Sequence, residues 1–418
     1  MSIDNSELLM LLGGKKKAEQ TIGIAGQQGF GVGVYGGDPA DLKAMGLKPM
    51  SGCFNPTSAN YGNYIHTNGS VMVFIPAFCY RIGNKSAPSY SRNAENALEI
   101  RDASEGEGDG WILHRAFIDG DVQKSGFFID KYIASKDNTG KVAVSVKNGD
   151  NISLGDQFAS SSDMPGCSGV IYDAITLGRA RGEYYSCVTA FQWSAISMLS
   201  LAHGQAATSN KFCGWYDEAY TTNYPKGNNN GSLGDVYDSS VKWTAHSQYA
   251  AIGKTGSGTP FNKTTHNGQN CGVTDVNGSQ GQVTIGCQRQ YKFTMLVLYD
   301  YAKAHDITKD NIDDTSLNNT TSYPYGSANA YWGSSAFFTD SAGPDRAMCG
   351  VLPRNPSIYG SQLFGSALAN VDANGGRPII VGGGYKDSKY AGLWLRSAYY
   401  PWGTSQWTYS FRAAGYPP

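Results

Sequence analysis

Charge is scarce in this chain: only 16% of its 418 residues are Asp, Glu, Lys or Arg, and the net charge is -1. A nucleic-acid or anionic-membrane surface needs a concentrated basic patch, and this balance supplies none. No run approaches the roughly 18 apolar residues that a membrane-spanning helix requires. A secretory signal is missing from MSIDNSELLMLLGGKKKAEQ, where the Leu8 to Leu12 run is short, acids precede it and lysines follow. The expectation is synthesis and folding in the cytosol. Cysteine is sparse too, with eight residues (Cys53, Cys79, Cys167, Cys187, Cys213, Cys271, Cys287, Cys349) and no C-x-x-C. None has histidine at zinc-site spacing, so buried free thiols are expected, with a Cys271–Cys287 bridge as the alternative.

What is present is glycine (53), tyrosine (27) and an aromatic content of 12%. That is enough apolar ring surface for a core, and it excludes disorder. The composition points to a loop-rich, β-leaning globular chain, and the expected fold class is α+β. At about 100–200 residues per domain the length suits two to four domains.

Residues 1–20 read as a short amphipathic docking segment, capped by Ser6, apolar at Leu8, Leu9, Leu11 and Leu12, and stopped by Gly13 and Gly14. Residues 21–115 alternate glycine-rich turns with short β patterns and suit attachment or oligomerisation. Two patterns stand out, Gly29 to Tyr35 and Ser70 to Ile82, the second a buried strand near an edge because it carries Pro76. The G-x-G within 29–35 runs into the turn residues Gly36 to Pro39, which excludes a dinucleotide loop. Glu105 to Asp109, and the set Asp306, Asp310, Asp313 and Asp314, lack the spacing of calcium ligands.

From Gly126 the texture changes. Phe127 to Ile133 begins as a strand, and residues 186–203 form the clearest helix. In that helix Phe191, Ala195, Met198, Leu199 and Ala202 share a face, and Gly204 is the expected C-cap. His203 is expected to favour the last carbonyls of the helix. Residues 204–290 read as ordered loops, and Met295 to Tyr301 as a strand or a helix start.

The richest stretch is the last, Gly382 to Pro418. It holds Trp394, Trp402 and Trp407 with Tyr385, Tyr390, Tyr399, Tyr400, Tyr409 and Tyr416, and no acid from Tyr390 onward. Aromatic rings give contact area at low entropy cost, and small polar residues adapt their hydrogen bonds. This mixture is that of a recognition surface.

Several segments resemble one superfamily in order. Residues 128–132 (FIDKY) are similar to an opening strand, and 191–201 to a first helix. Residues 272–278 (GVTDVNG) resemble half of a G-x-x-D-x-x-G-x-x-W-E-W motif. Residues 382–385, 395–398 (LRSA) and 410–413 (SFRA) resemble the closing R-G-G-S-W, R-S-A and G-F-R elements. The family is the C-type-lectin-like fold, in the elaboration shared by formylglycine-generating enzymes and by variable proteins of diversity-generating retroelements. One departure is that SQGQVTIG follows Gly278 without Trp-Glu-Trp, which implies a remodelled central loop.

The resemblance implies a ligand-binding domain at 126–418 with a variable region near 382–412. The enzymatic branch keeps cysteines between its closing elements, but Tyr385 to Ser410 contains none, the nearest upstream being Cys349. Nucleophilic or redox chemistry needs a thiolate in place, so no enzyme is expected. The variable branch mutates adenines of a template repeat, often in AAC codons, which never yield Trp. On that pattern Tyr390, Leu395, Ser397, Tyr399, Tyr400, Thr404, Ser405, Thr408, Tyr409 and Ser410 are the variable, ligand-facing set. Trp394, Arg396, Trp402, Trp407, Phe411 and Arg412 are the scaffold. Gln406 falls outside the variable set because AAC cannot give it. Strand alternation would put Trp394, Arg396 and Ala398 on one face, with Leu395, Ser397 and Tyr399 projecting from the other.

The implied function is that of a phage tail receptor-binding protein that presents this surface to a host protein or glycan. Its implied assembly is a homotrimer beside other tail proteins in the virion. The alternatives are a bacterial surface-displayed variable protein and a formylglycine-generating-type oxidase. No cofactor or metal is implied, since neither Glu-Pro-Asn nor Gln-Pro-Asp occurs in the chain.

Overall fold

The computed structural model describes residues 20–94, 97–155, 164–217, 231–235, 238–276, 278–291, 294–298, 301–322, 376–387 and 391–418. The docking segment, apart from Gln20, lies outside the described residues, as do Cys349 and Tyr390. The first strands are β1 (Leu47–Pro49), β2 (Asn63–His66), β3 (Val71–Pro76), β4 (Phe78–Ile82), β5 (Leu98–Asp102) and β6 (Ile112–Leu113). Next come β7 (Ile118–Asp119), β8 (Val122–Gln123), β9 (Gly126–Asp130), β10 (Ser135–Lys136), β11 (Ala143–Val144) and β12 (Tyr185–Cys187). After the long helix Ala190–Ala206 come β13 (Gly281–Tyr291), β14 (Thr294–Leu298) and β15 (Asn318–Ser322). The last are β16 (Arg377–Gly382), β17 (Gly392–Ser397), β18 (Tyr409–Ser410) and β19 (Ala413–Gly415). Helices with many antiparallel strands make the fold α+β.

One sheet runs β1-β2-β3-β9-β19-β12 with every neighbour antiparallel. Residues 21–115 and 126–418 are joined in this sheet, and one hydrophobic core extends from Ile22 to Tyr416. The alternation of β9 serves two cores: Phe127 and Ile129 enter the main one, while Phe128 packs on Phe74 and Tyr64 at 4.9 and 5.1 Å. β3 is central rather than near an edge. Pro76 is tolerated because it ends the strand, where the missing N–H breaks little of the ladder. Gly29 to Tyr35 forms no strand, because Gly29 and Gly31 adopt φ of 77° and 80°. Their chain is buried instead, with Gly31 N–H donating to Ile22 O at 2.9 Å.

The second sheet runs β15-β14-β13-β16-β17, and β18 joins β13 in parallel. Met295 to Tyr301 therefore contributes a strand, β14. β13 begins at Gly281, inside the region expected to be loops. The loops before it are ordered around buried Trp215, whose Nε1 donates to Thr265 O at 3.0 Å, and buried Trp243.

The helix starts at a capping box: Thr189 Oγ1 accepts from Gln192 N at 3.0 Å, and Gln192 Oε1 accepts from Thr189 N at 2.9 Å. It packs on β13, β16, β17 and β5, and its residues 190–204 are buried all round rather than along one stripe. Gly204 is not the C-cap; the helix continues to Ala206 and is capped at Ala207. His203 does not serve the helix carbonyls. It is buried against Phe30, accepts from Gly26 N at 3.0 Å through Nδ1, and bonds Phe212 O at 2.7 Å through Nε2. Burial pulls its pKa down to about 4, so it is neutral.

Candidate functional site

The C-terminal stretch is threaded through both sheets, and its frame is deeply buried. Arg412 donates through Nη1 to Asp130 O at 2.9 Å, through Nη2 to Thr274 O, and through Nε to Gln282 Oε1. Asp130 in turn accepts from Arg181 at 2.7 and 3.2 Å and from Ala413 N at 3.0 Å. Asp275 lies in the same field and accepts from Gly256 N at 2.9 Å. Burial pulls the Arg412 guanidinium down to about 10, against the pull of Asp275 and Asp130. Arg396, also buried, donates to Leu393 O at 2.6 Å and to Leu395 O at 3.0 Å. Helix residues Trp193 and Ser197 donate to that same Leu393 carbonyl, each at 2.9 Å.

Trp402 is buried under Tyr172, stacked at 5.4 Å and 14°, and its Nε1 donates to Gln288. Phe411 is buried in the main core. Arg396, Trp402, Phe411 and Arg412 thus sit in the interior. The side chain of Trp394 lies outside the described residues. Trp407 differs from its frame partners: it is half-buried, with Tyr249 at 4.8 Å and Tyr385 at 5.6 Å.

Between Pro401 and Tyr409 the chain is held by its backbone. Thr404 N donates to Pro401 O, while Thr404 O accepts from Ile171 N, at 3.1 and 3.0 Å. Gln406 N donates to Leu154 O at 2.8 Å, and Tyr409 O accepts from Leu154 N at 2.9 Å. Trp407 O accepts from Gln280 Nε2 at 3.0 Å, and Thr408 O from Gly281 N at 3.0 Å. Gln406 is structural, its Oε1 accepting from Thr408 Oγ1 at 2.9 Å.

The variable-set side chains divide into two groups. Tyr399 is 38% exposed, Ser405 is exposed, and Ser397, Tyr400, Thr404, Thr408 and Tyr409 are half-buried. Tyr399, Tyr400 and Tyr409 form a chain of edge contacts at 4.5 and 5.9 Å. Leu395 and Ser410 do not project, being 5% and 0% exposed. Exposure by alternation fails at Leu395, and the register of β17 against β16 jumps between Val381↔Arg396 and Gly382↔Gly392. Residues 393–395 fall in that irregularity, where simple face alternation lapses. Ser410 is covered because β18 pairs in parallel with β13, opposite Gln282.

Sequence reasoning missed Tyr249, which lies far upstream and carries no local signal, and Lys386, whose Nζ lies over the Tyr385 and Trp407 rings. Among the described residues the thiol beside the scaffold is that of Cys287, buried next to Arg396. The seven described cysteines are buried and form no disulfide, Cys271 and Cys287 included, and burial pushes Cys167 and Cys287 up to about 12. Burial also raises the Tyr409 hydroxyl, keeping it protonated at neutral pH. Among the described residues no three His, Cys, Asp or Glu side chains are placed to hold a metal ion, and no helix is long and apolar enough to cross a membrane. The arrangement can bind, through rings and small hydroxyls on a fixed backbone.

No protein-family model and no curated protein matches this chain.

Proposed function

We propose that this chain is a receptor-binding protein of a phage tail, with a C-type-lectin-like fold and a variable C-terminal surface of the retroelement-diversified kind. The observation that carries this reading is the division of labour in residues 393–412. Main-chain hydrogen bonds fix the path of 401–409, buried Arg396, Trp402, Phe411 and Arg412 anchor its ends, and Tyr399, Tyr400, Thr404, Ser405, Thr408 and Tyr409 stand at or near the surface. A surface built this way accepts new side chains without losing its shape. The fold reading is supported by the meeting of Asp130, Asp275 and Arg412, which come from three separate segments of the resemblance, at one buried junction. In this reading residues 1–20 and 21–115 serve attachment, the assembly is a homotrimer whose avidity multiplies weak contacts, and the protein acts by binding rather than by catalysis.

The test is adsorption to host cells, or binding on a glycan and protein array, by a Tyr399→Ala/Tyr400→Ala/Tyr409→Ala variant whose fold is checked by circular dichroism. Aromatic anchors buried in a complex contribute ~2 kcal/mol or more each. Binding is therefore expected to fall by roughly 30-fold or more per ring engaged. Undiminished binding by a folded variant sinks the assigned surface.

A further inference from the structure

We propose that Tyr385 and Trp407 form a cradle for a ligand's ammonium group, a site beside the Tyr399–Tyr400–Tyr409 contacts. The cradle already holds an ammonium, because Lys386 Nζ lies 5.6 Å from the Tyr385 ring centroid and 5.4 Å from that of Trp407. Both distances fall within the roughly 6 Å over which an aromatic face attracts a cation. The two rings meet at 42° with centroids 5.6 Å apart, so they form an open V rather than a closed stack.

The walls are preorganised. Tyr385 is buried and its carbonyl accepts from Gly231 N at 3.2 Å. Trp407 is held through its own carbonyl by Gln280, and Tyr249 packs against its ring at 4.8 Å. Its occupant Lys386, by contrast, is exposed and makes no ion pair among the described residues. A primary ammonium on a flexible stem is strongly hydrated. A methylated ammonium is less so, and aromatic faces are the usual receptors for it. The ligand class is therefore a trimethylammonium headgroup of the choline type, which displaces Lys386 from the rings as it enters.

The test titrates the full chain with tetramethylammonium and with phosphocholine, followed by ligand-observed NMR, with 3,3-dimethylbutanol as the uncharged isostere. Saturable binding of both cations and none of the isostere is expected. Lys386→Ala, by vacating the cradle, tightens binding about 2- to 5-fold, the weight of an exposed cation–aromatic contact. A Trp407→Leu variant shown to be folded loses about 10-fold or more. The proposal is overturned if the isostere binds as well as the cations, if Lys386→Ala leaves affinity unchanged, or if folded Trp407→Leu binds like the parent. Lys386→Ala alters one exposed side chain and decides the matter alone if Trp407→Leu does not fold. No readout here involves host cells, so the result stands or falls apart from the receptor-binding function.

Discussion

Arg412 reaches three separate segments through its guanidinium, whereas residues 403–409, a few positions earlier, are fixed largely through main-chain N–H and C=O groups. The first arrangement is specific to one side chain. No other residue type presents a planar fork of donors to Asp130, Thr274 and Gln282 at once. The second is indifferent to side chains, since every residue but proline brings the same backbone groups. Two neighbouring pieces of one strand–loop unit thus have opposite tolerances, and a binding surface that must change its chemistry without changing its shape needs both.

The largest effect is expected where the side-chain-dependent half is cut. Arg412→Met removes a buried cation that sits in the field of Asp130 and Asp275 and leaves the Asp130 and Thr274 carbonyls and the Gln282 amide without their donor. Breaking a buried charge network costs about 3–5 kcal/mol. Urea unfolding should show that loss, and a variant within 1 kcal/mol of the parent, on the same order-of-magnitude scale, breaks the comparison.

Acid attacks the same half without touching the surface. His266 is buried near Arg412, accepts from Val273 N at 3.0 Å and bonds Gly31 O at 3.2 Å, and burial pulls its pKa down to about 3. His203, its neighbour in the field, is held at about 4. Both folded values lie below the ordinary histidine value. The unfolded chain therefore binds protons that the folded chain refuses, and stability falls as pH drops from about 6.5 toward 4. For His203 the loss is on the order of 3 kcal/mol. Asp275 works in the opposite sense, since burial raises its carboxyl. The decisive measurement is therefore a difference: stability against pH for the parent minus that for His203→Gln. A flat difference between pH 6.5 and 4 refutes a neutral, buried His203.

Much of this frame is legible in the sequence, and the reason is locality. The helix is announced by the spacing of Phe191, Ala195, Met198, Leu199 and Ala202, and β9 by Phe127 to Ile129. The interior positions of Trp402, Phe411 and Arg412 match the scaffold role that the resemblance implies for them. What was not legible depends on partners distant in the chain. Leu395 reads as outward by alternation, yet it is buried, in a strand whose register against β16 is irregular. Gly204 reads as a helix stop, but the helix runs past it to Ala206, through half-buried Gln205. His203 reads as a helix-end cation until Gly26 and Phe212 fix it as a neutral bridge. Tyr249 has no signal at all before the fold brings it to Trp407.

The smallest expected effects lie on the main-chain-held half, and they are the sharpest test of it. Tyr399→Ser and Ser405→Tyr exchange a ring for a hydroxyl, and a hydroxyl for a ring, at exposed positions whose substitution should move stability by no more than about 0.5 kcal/mol. Gln406→Ala, between them and the frame, should cost more, about 1 kcal/mol, because its Oε1 accepts from both the Thr408 N–H and hydroxyl and ties Thr408 to the turn. The three variants measured side by side in urea give an ordering that ordinary surface tolerance does not predict. If Gln406→Ala proves as neutral as the other two, the turn is held by its main chain alone. If Ser405→Tyr proves as costly as Gln406→Ala, that position is not free to vary, and the surface is narrower than its exposure suggests.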